Sequence, residues 1–375
     1  DALAVSHNTL LRKAAAASPN AIGFRHADSI LAEARRVSGR GEGLDIAAMA
    51  EQLSDVLIGR DILAEPYRSR AMQLCKPMAL AHLTKAAADI SALRSVRLPD
   101  EIWSGSGGLH VPRAIGLEVM RRGGKVVRFD HGKPKAFVHG SEIDAVVEYS
   151  SSSKFMVATK GVTDLVRRHS DLDVVGWRPR VELGGLDGDP TFASVPIAGT
   201  NRNKSGRLRL VYAPTQLLGF RQLLPVQQHD LVYLQWQMEV VEMLRALPID
   251  LVCQAHPEGL FGGKPHPLEG LVDVRRGGFE EQLGQADVFI FDYPSTTTMW
   301  QAACTDAKVI YLDMGSGVMT PEVAELFARR STILPVAFDD GNRPLLDAAA
   351  LRDAVLTQDG PADPMPLRRL LAGDA

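Results

Sequence analysis

From residue 101 onward the apolar residues fall into short runs closed by polar or glycine-rich stretches, with helix-spaced segments between them. Strands are expected at Glu101–Trp103, Lys125–Phe129 and Ala145–Tyr149, with helices over Pro112–Arg122 and around Phe155–Arg168. Gly123-Gly124 supplies the stop for the first of these helices. Residues 184–206 are rich in Gly, Asp, Asn and Pro without periodicity and read as a linker. The alternation then resumes: strand Arg207–Tyr212, helix Leu231–Leu247, strands Leu251–Gln254 and Val272–Val274, helix Phe279–Gln285, strand Val288–Phe291, helix Met299–Cys304 and strand Val309–Leu312. One or two helices are expected between Ala348 and Leu371, around Pro361 and Pro366. Residues 1–100 are Ala-rich and read as helical, at Ser29–Val37, Ile46–Leu57 and Ala71–Leu93 with Pro77 near its first turns; no strand is expected there.

Strands alternating with helices on either side of a linker predict an α/β fold of two doubly wound, Rossmann-like domains facing across a cleft. The boundaries follow the pattern: residues 1–190 form an N-terminal domain whose α/β part starts near 101, and residues 205–375 form a C-terminal domain. A chain of 375 residues is long enough for both to bury a core.

Composition narrows the function classes. The chain is 45% hydrophobic and 23% charged with net charge −3, so nothing global favours nucleic acid or an anionic membrane. Cys75, Cys253 and Cys304 are far apart, which fits reduced, buried thiols rather than a disulfide framework. No apolar run approaches the roughly 18 residues of a membrane span, and no signal peptide is visible. The expected location is cytoplasmic, with any contact at the inner face of the plasma membrane peripheral. The chain opens on Asp1 rather than methionine, as a fragment or a processed chain would.

Parallel sheets bind ligands at the carboxyl ends of their strands, and polar groups recur there. In the first half these are the loop Ser104, Gly105, Ser106, Gly107, Gly108, then Asp130-His131, then Ser150–Ser153. In the second half they are Thr215, the stretch Gln254-Ala255-His256-Pro257-Glu258, and Asp292 through Ser295, Thr296 and Thr297. Pro257 turns the chain just past its strand and holds the His256 imidazole at the strand mouth, where it either donates to a phosphate or satisfies an ordinary loop. Glu258 either bonds a ribose hydroxyl or faces water. Asp130 either orients His131 as a general base or caps a turn with it. The hydroxyl cluster at Ser295–Thr297 precedes a helix, whose free N–H groups and dipole favour an anion, and Ser or Thr there is equally a helix cap. The Ser104–Gly108 loop has neither dinucleotide nor P-loop spacing.

Taken together, Asp130-His131-Gly132, Gln254-Ala255-His256-Pro257 and Asp292-Tyr293-Pro294-Ser295-Thr296 resemble motifs of GT-B glycosyltransferases and of the glycerophosphotransferases of bacterial surface polymers. The His-Pro and paired Ser/Thr pattern is similar to that of bacterial transferases with cytidine-nucleotide donors, including sialyltransferases, Kdo transferases and CDP-glycerol enzymes. The resemblance spans residues 101–313. It implies that His256, Ser295, Thr296 and Thr297 hold the donor phosphate, and that His131 is a catalytic-base candidate. Gln254 departs from it, standing where many such sequences carry Lys. Residues 1–100 show no opening βαβ unit, and Asp187-Gly188-Asp189 is a poor substitute for the acidic motif of sialyltransferases.

The resulting expectation is a metal-independent GT-B transferase without a cofactor. It moves a sugar from a nucleotide-sugar donor, CMP-linked as in CMP-Kdo or another CMP-ulosonic acid, to a bacterial surface glycan or glycolipid acceptor. Metal independence accounts for the lack of an Asp-x-Asp motif near the donor residues. The donor residues are Thr215, Gln254, His256, Pro257, Glu258, Asp292, Ser295, Thr296 and Thr297; the acceptor side is Ser104, Gly105, Ser106 and Gly107; the base is His131 or Asp130. Alternatives are a CDP-alditol polyol-phosphate transferase, a sugar-nucleotide epimerase and a non-catalytic sugar-nucleotide or glycan-binding module.

Overall fold

The computed structural model describes residues 2–37, 45–59, 63–105, 107–132, 134–170, 172, 181–199, 206–219, 228–357 and 362–374. The fold is α/β, with two six-stranded parallel sheets. The first is built from β1 (Ala2–Ala4), α1 (Thr9–Ala16), β2 (Gly23–Phe24), α2 (Ala27–Val37), α3 (Ile46–Ile58), α4 (Tyr67–Arg94), β3 (Glu101–Ser104), α5 (His110–Arg121), β4 (Lys125–Phe129), α6 (Ser141–Val147), β5 (Lys154–Val157), α7 (Lys160–His169) and β6 (Glu182–Gly185). Its strand order is β2-β1-β3-β4-β5-β6, which reverses between β1 and β3.

The second sheet follows the short helix α8 (Pro190–Ala193). It contains β7 (Leu208–Tyr212), α9 (Asp230–Arg245), β8 (Ile249–Gln254), β9 (Asp273–Arg275), α10 (Glu280–Leu283), β10 (Val288–Phe291), α11 (Thr297–Ala303), β11 (Lys308–Asp313), α12 (Pro321–Arg330) and β12 (Thr332–Pro335). A two-stranded ribbon, β13 (Ala337–Phe338) with β14 (Pro344–Leu345), then leads to α13 (Ala348–Leu356) and α14 (Met365–Ala372). The order β12-β11-β10-β7-β8-β9 reverses between β7 and β10, as in dinucleotide-binding Rossmann sheets. Both sheets are therefore doubly wound and Rossmann-like, as expected.

By packing, the chain divides into two compact units: Asp1–Phe129, Ala145–Met156 and Leu172–Leu183 form the first, and Asp130–Asp144, Val157–Asp171 and Gly184–Ala375 the second. In the first, Val5, Ile30, Leu93, Ile102, Ile115 and Val126 form the core between sheet and helices. In the second, all four residues of β10 are buried, and its Phe289 lies opposite Val211 and Val309 on the flanking strands. A strand covered on both faces reads as a continuous apolar run, which is why its limits were legible to the residue.

Three expectations need correction. The N-terminal region does contain strands, and β1-α1-β2 opens the first sheet as a βαβ unit. Three residues of Ala-Leu-Ala carry no β propensity; pairing with β2 and β3 fixes them as a strand. Second, Ala145–Tyr149 is not a strand: α6 covers its start and a 3₁₀ turn spans Tyr149–Ser151. Ala145, Glu148 and Tyr149 are buried at helical spacing, whereas Phe155 and Val157 alternate with half-buried neighbours in β5. Ser150–Ser153 consequently precede β5 instead of following a strand. Third, the stretch read as a linker holds the last two residues of β6 and all of α8, while residues 200–205 of it lie outside the described residues.

Among the described residues, no helix is long and apolar enough to cross a membrane. All three cysteines are free, and Cys253 and Cys304 are buried.

One ion cluster around the buried Glu118 ties the end of the long helix α4 to α5. Glu118 on α5 accepts from the guanidinium groups of Arg121 and Arg122, and Arg122 also donates to the carbonyls of Leu93 and Val96 at the end of α4. Carbonyls around a helix C-terminus run short of intrahelical donors, and the guanidinium adds one to each of these two. Burial alone would raise the Glu118 pKa, but the two arginines outweigh it and leave it lowered. A carboxylate whose folded pKa is lowered contributes stability above its unfolded value and loses it as pH falls through the folded one. Glu118→Gln should therefore destabilise the protein by about 1–3 kcal/mol at neutral pH. Thermal melts should show the gap between variant and wild type closing below the ordinary carboxyl pKa of 4.5. A pH-independent gap would show that charge plays no part.

Candidate functional site

The second sheet reverses between β7 and β10, so the loops after Tyr212 and Phe291 border its switch point. Asp292, first residue past β10, is fully buried. Its carboxylate accepts from Tyr212 Oη at 2.6 Å, Tyr233 Oη at 2.8 Å and Trp236 Nε1 at 3.1 Å. Tyr212 closes β7, whereas Tyr233 and Trp236 stand three residues apart on α9 and share a helix face. Tyr233 Oη also accepts the backbone N–H of Thr215 at 2.9 Å. A chain of hydrogen bonds thus runs from the loop after β7, through α9, to the loop after β10.

Burial raises the Asp292 pKa, and the bonds from Tyr212, Tyr233 and Trp236 act against it. Burial and the Asp292 charge hold both tyrosines well above their ordinary range, so they remain donors. The Cys253 thiol is pushed up to about 12 by burial and, secondarily, by Asp292. Asp292 therefore frames the strand ends rather than facing a ligand, which revises its expected role as a direct donor contact.

The remaining donor-side residues surround this frame. Ser295, Thr296 and Thr297 are half-buried. Thr296 caps α11, its Oγ1 accepting the Met299 N–H at 3.1 Å and meeting Thr298 Oγ1 at 2.8 Å. Among the described residues, no hydrogen bond engages the hydroxyls of Ser295 or Thr297. Two strands over, at the end of β8, Gln254 is buried; its Nε2 donates to the Gly277 carbonyl at 2.8 Å, while its Oε1 has no partner among the described residues. His256 is half-buried and Pro257 and Glu258 are exposed. The His256 Nδ1 accepts the Glu258 N–H at 3.1 Å. In the neutral ring this places the proton on Nε2, the nitrogen that remains able to donate.

The segment Asp130–Asp144 belongs to the same unit. Asp130 is buried and its two oxygens accept the backbone N–H groups of His131 and Lys135, at 2.8 and 3.2 Å. It holds the turn through the backbone, and the His131 side chain is exposed. Further along, Phe137 packs edge-on against Trp300 with ring centroids 4.8 Å apart, and Thr320 Oγ1 donates to the Ala136 carbonyl at 2.8 Å. Gly132, at φ 69°, comes so near α11 that a Cβ there would stand 3.2 Å from Thr297 Oγ1. The loop carrying His131 thus abuts the hydroxyl cluster.

In the first unit the switch point lies between β1 and β3. Ser104 is fully buried, its Oγ 3.1 Å from Ser6 Oγ and 3.3 Å from the Arg128 guanidinium. The Gly105 N–H donates to Ser6 Oγ and the Gly107 N–H to Glu148. A Cβ at Gly107 would meet the Val147 carbonyl at 2.5 Å, so only glycine fits. Ser106 lies outside the described residues. The loop's polar groups are largely spent inside the fold. Sequence reasoning missed His7, which follows β1 and stacks on the exposed Phe24 with ring centroids 3.7 Å apart. It also missed Tyr212, Tyr233 and Trp236, for which the aromatic at the end of β7 and the Tyr-x-x-Trp spacing were the available signals. Asp189, from the acidic stretch weighed above, caps α8.

Elsewhere in the second unit a cavity of about 570 Å³ is lined by Thr159, Lys160, Asp187 and Arg369 among others, and by none of the expected site residues.

The fold is α/β, built on two doubly wound, Rossmann-like sheets. No protein-family model matches the sequence, and no curated protein matches it significantly. Three solved structures show what it is similar to. Acinetobacter baumannii MurG is 10% identical over 100% of this chain and 96% of its own, with TM-score 0.43. A UDP-GlcNAc 2-epimerase from Methanocaldococcus jannaschii is 11% identical over 98% and 97%, with TM-score 0.39. The wall teichoic acid polymerase TagF is 10% identical over 73% and 67%, with TM-score 0.39. Likenesses this distant assign no activity to the chain.

The frame itself is testable. Tyr233→Phe removes one donor from a buried carboxylate and strands the Thr215 N–H, so it should cost about 1.5–3 kcal/mol. Urea denaturation measures this, and wild-type stability in the variant would show that the hydrogen-bond chain does not hold the site.

Proposed function

We propose that the chain is a glycosyltransferase that moves a sugar from a nucleotide-sugar donor, CMP-linked, to a bacterial surface glycan. The observation that carries this reading is the approach of Gly132 to Thr297, which brings the His131 loop against the hydroxyl cluster. In this reading His256, through Nε2–H, and the hydroxyls of Ser295 and Thr297 donate to the donor phosphate. Thr296 keeps the helix start in place, Asp292 and Gln254 frame the strand ends, and Thr215 and Glu258 border the nucleotide. The second unit is the donor side. The acceptor side is the first unit, around the Ser104–Gly107 loop.

His131 is the proposed base, because its ring is exposed while the Asp130 carboxylate is committed to backbone donors. The imidazole takes the proton of the acceptor hydroxyl as that oxygen bonds to the anomeric carbon. The bond from that carbon to the phosphate oxygen breaks, and the nucleotide leaves with the bonding pair, its charge met by the donors above.

Two variants separate the roles. His256→Ala should weaken CMP binding by about 1.5–3 kcal/mol in calorimetry, with circular dichroism unchanged. His131→Ala should leave CMP affinity near wild type and lower turnover roughly 10²–10⁴-fold. Unchanged CMP affinity in folded His256→Ala would sink the donor assignment. Near-native turnover in His131→Ala would remove the base.

A further inference from the structure

Among the described residues, the hairpin of α3 and α4 carries exposed apolar side chains on both helices. Nine of the 13 residues of α3 are apolar, yet only Ala50, Ser54 and Ile58 are buried among its well-covered positions, all Ser or aliphatic at helical spacing against α4. Val56 is 76% and Leu57 60% exposed. On α4, Tyr67, Leu74 and Met78 fall along one side of the helix at the same spacing, at 71%, 54% and 61% exposure. A helix apolar on most sides is normally buried on most sides, and contiguous patches of this kind mark interaction surfaces.

Charge indicates what covers it. α3 carries Glu51 and Asp55 and no base, whereas α4 up to Ala88 carries Arg68, Arg70, Lys76 and Lys85 and no acid. Within the hairpin Glu51 pairs with Lys76 at 2.6 Å. That leaves a surplus of negative charge on α3 and of positive charge on α4. We propose that a second copy of this chain docks here about a two-fold axis, with α3 of each protomer against α4 of the other. A two-fold contact uses the same patch on both chains, so one acidic and one basic helix per protomer complement each other twice. An anionic lipid surface would meet the carboxylates of α3 as well as the cations of α4.

Analytical ultracentrifugation of the wild-type chain should show a dimer. Val56→Glu combined with Met78→Glu, both at exposed positions, should raise the dimer dissociation constant about 30-fold or more while leaving the circular dichroism spectrum unchanged. Asp55→Lys should also weaken the dimer. A monomer at every soluble concentration would overturn the proposal, as would a dimer indifferent to these substitutions. Co-sedimentation with phosphatidylglycerol vesicles that Asp55→Lys strengthens, without self-association, would overturn it too and assign the face to lipid.

Discussion

A buried carboxylate cannot stand alone in a protein interior, and the loops of the second sheet are arranged around that constraint. Asp292 is fully enclosed at the end of the central strand, and three aromatic donors meet it there. An uncompensated charge at that depth would cost several kcal/mol, so the geometry of Tyr212, Tyr233 and Trp236 is not free to vary. Because those residues come from β7 and α9, satisfying Asp292 fixes the distance between the two strands at which the sheet reverses. Thr215 is drawn into the same network through Tyr233.

This frame determines which polar groups remain for a ligand. The hydroxyl of Thr296 and the carboxylates of Asp292 and Asp130 are consumed by the fold, as helix cap, strand-end brace and turn former. Ser295, Thr297 and the Nε2 of His256 are left at the strand ends. The Thr296, Asp292 and Asp130 oxygens are spent as acceptors, whereas the His256 Nε2–H and two hydroxyls left over can donate. Donors at the mouth of a parallel sheet suit an anion, which is the physical basis for reading the site as one for phosphate.

Much of this was legible in the sequence, for reasons that differ by element. β10 was read to the residue because burial on both faces leaves an unbroken apolar run. Turn chemistry at Asp292–Thr297 and at His256-Pro257 located the strand ends of the second unit. β1 and β2 were invisible because two and three residues carry no periodicity, and only pairing makes them strands. The serine run misled because Ala145–Tyr149 combines β-branched residues with helical burial, so the strand lay nine residues further on, at β5. Which polar residues are spent internally was not readable at all. Nothing in the local pattern separates Ser104, buried against Ser6 and Arg128, from Thr297, whose hydroxyl is half-buried and unengaged.

The most direct measurement is a crystal structure of the protein soaked with CMP. The account predicts the phosphate within about 3 Å of His256 Nε2 and of the Ser295 or Thr297 hydroxyl. It also predicts that the Asp292 network is unchanged. CMP bound with its phosphate elsewhere, for example against Lys160 and Arg369 in the cavity beside α7, would contradict it.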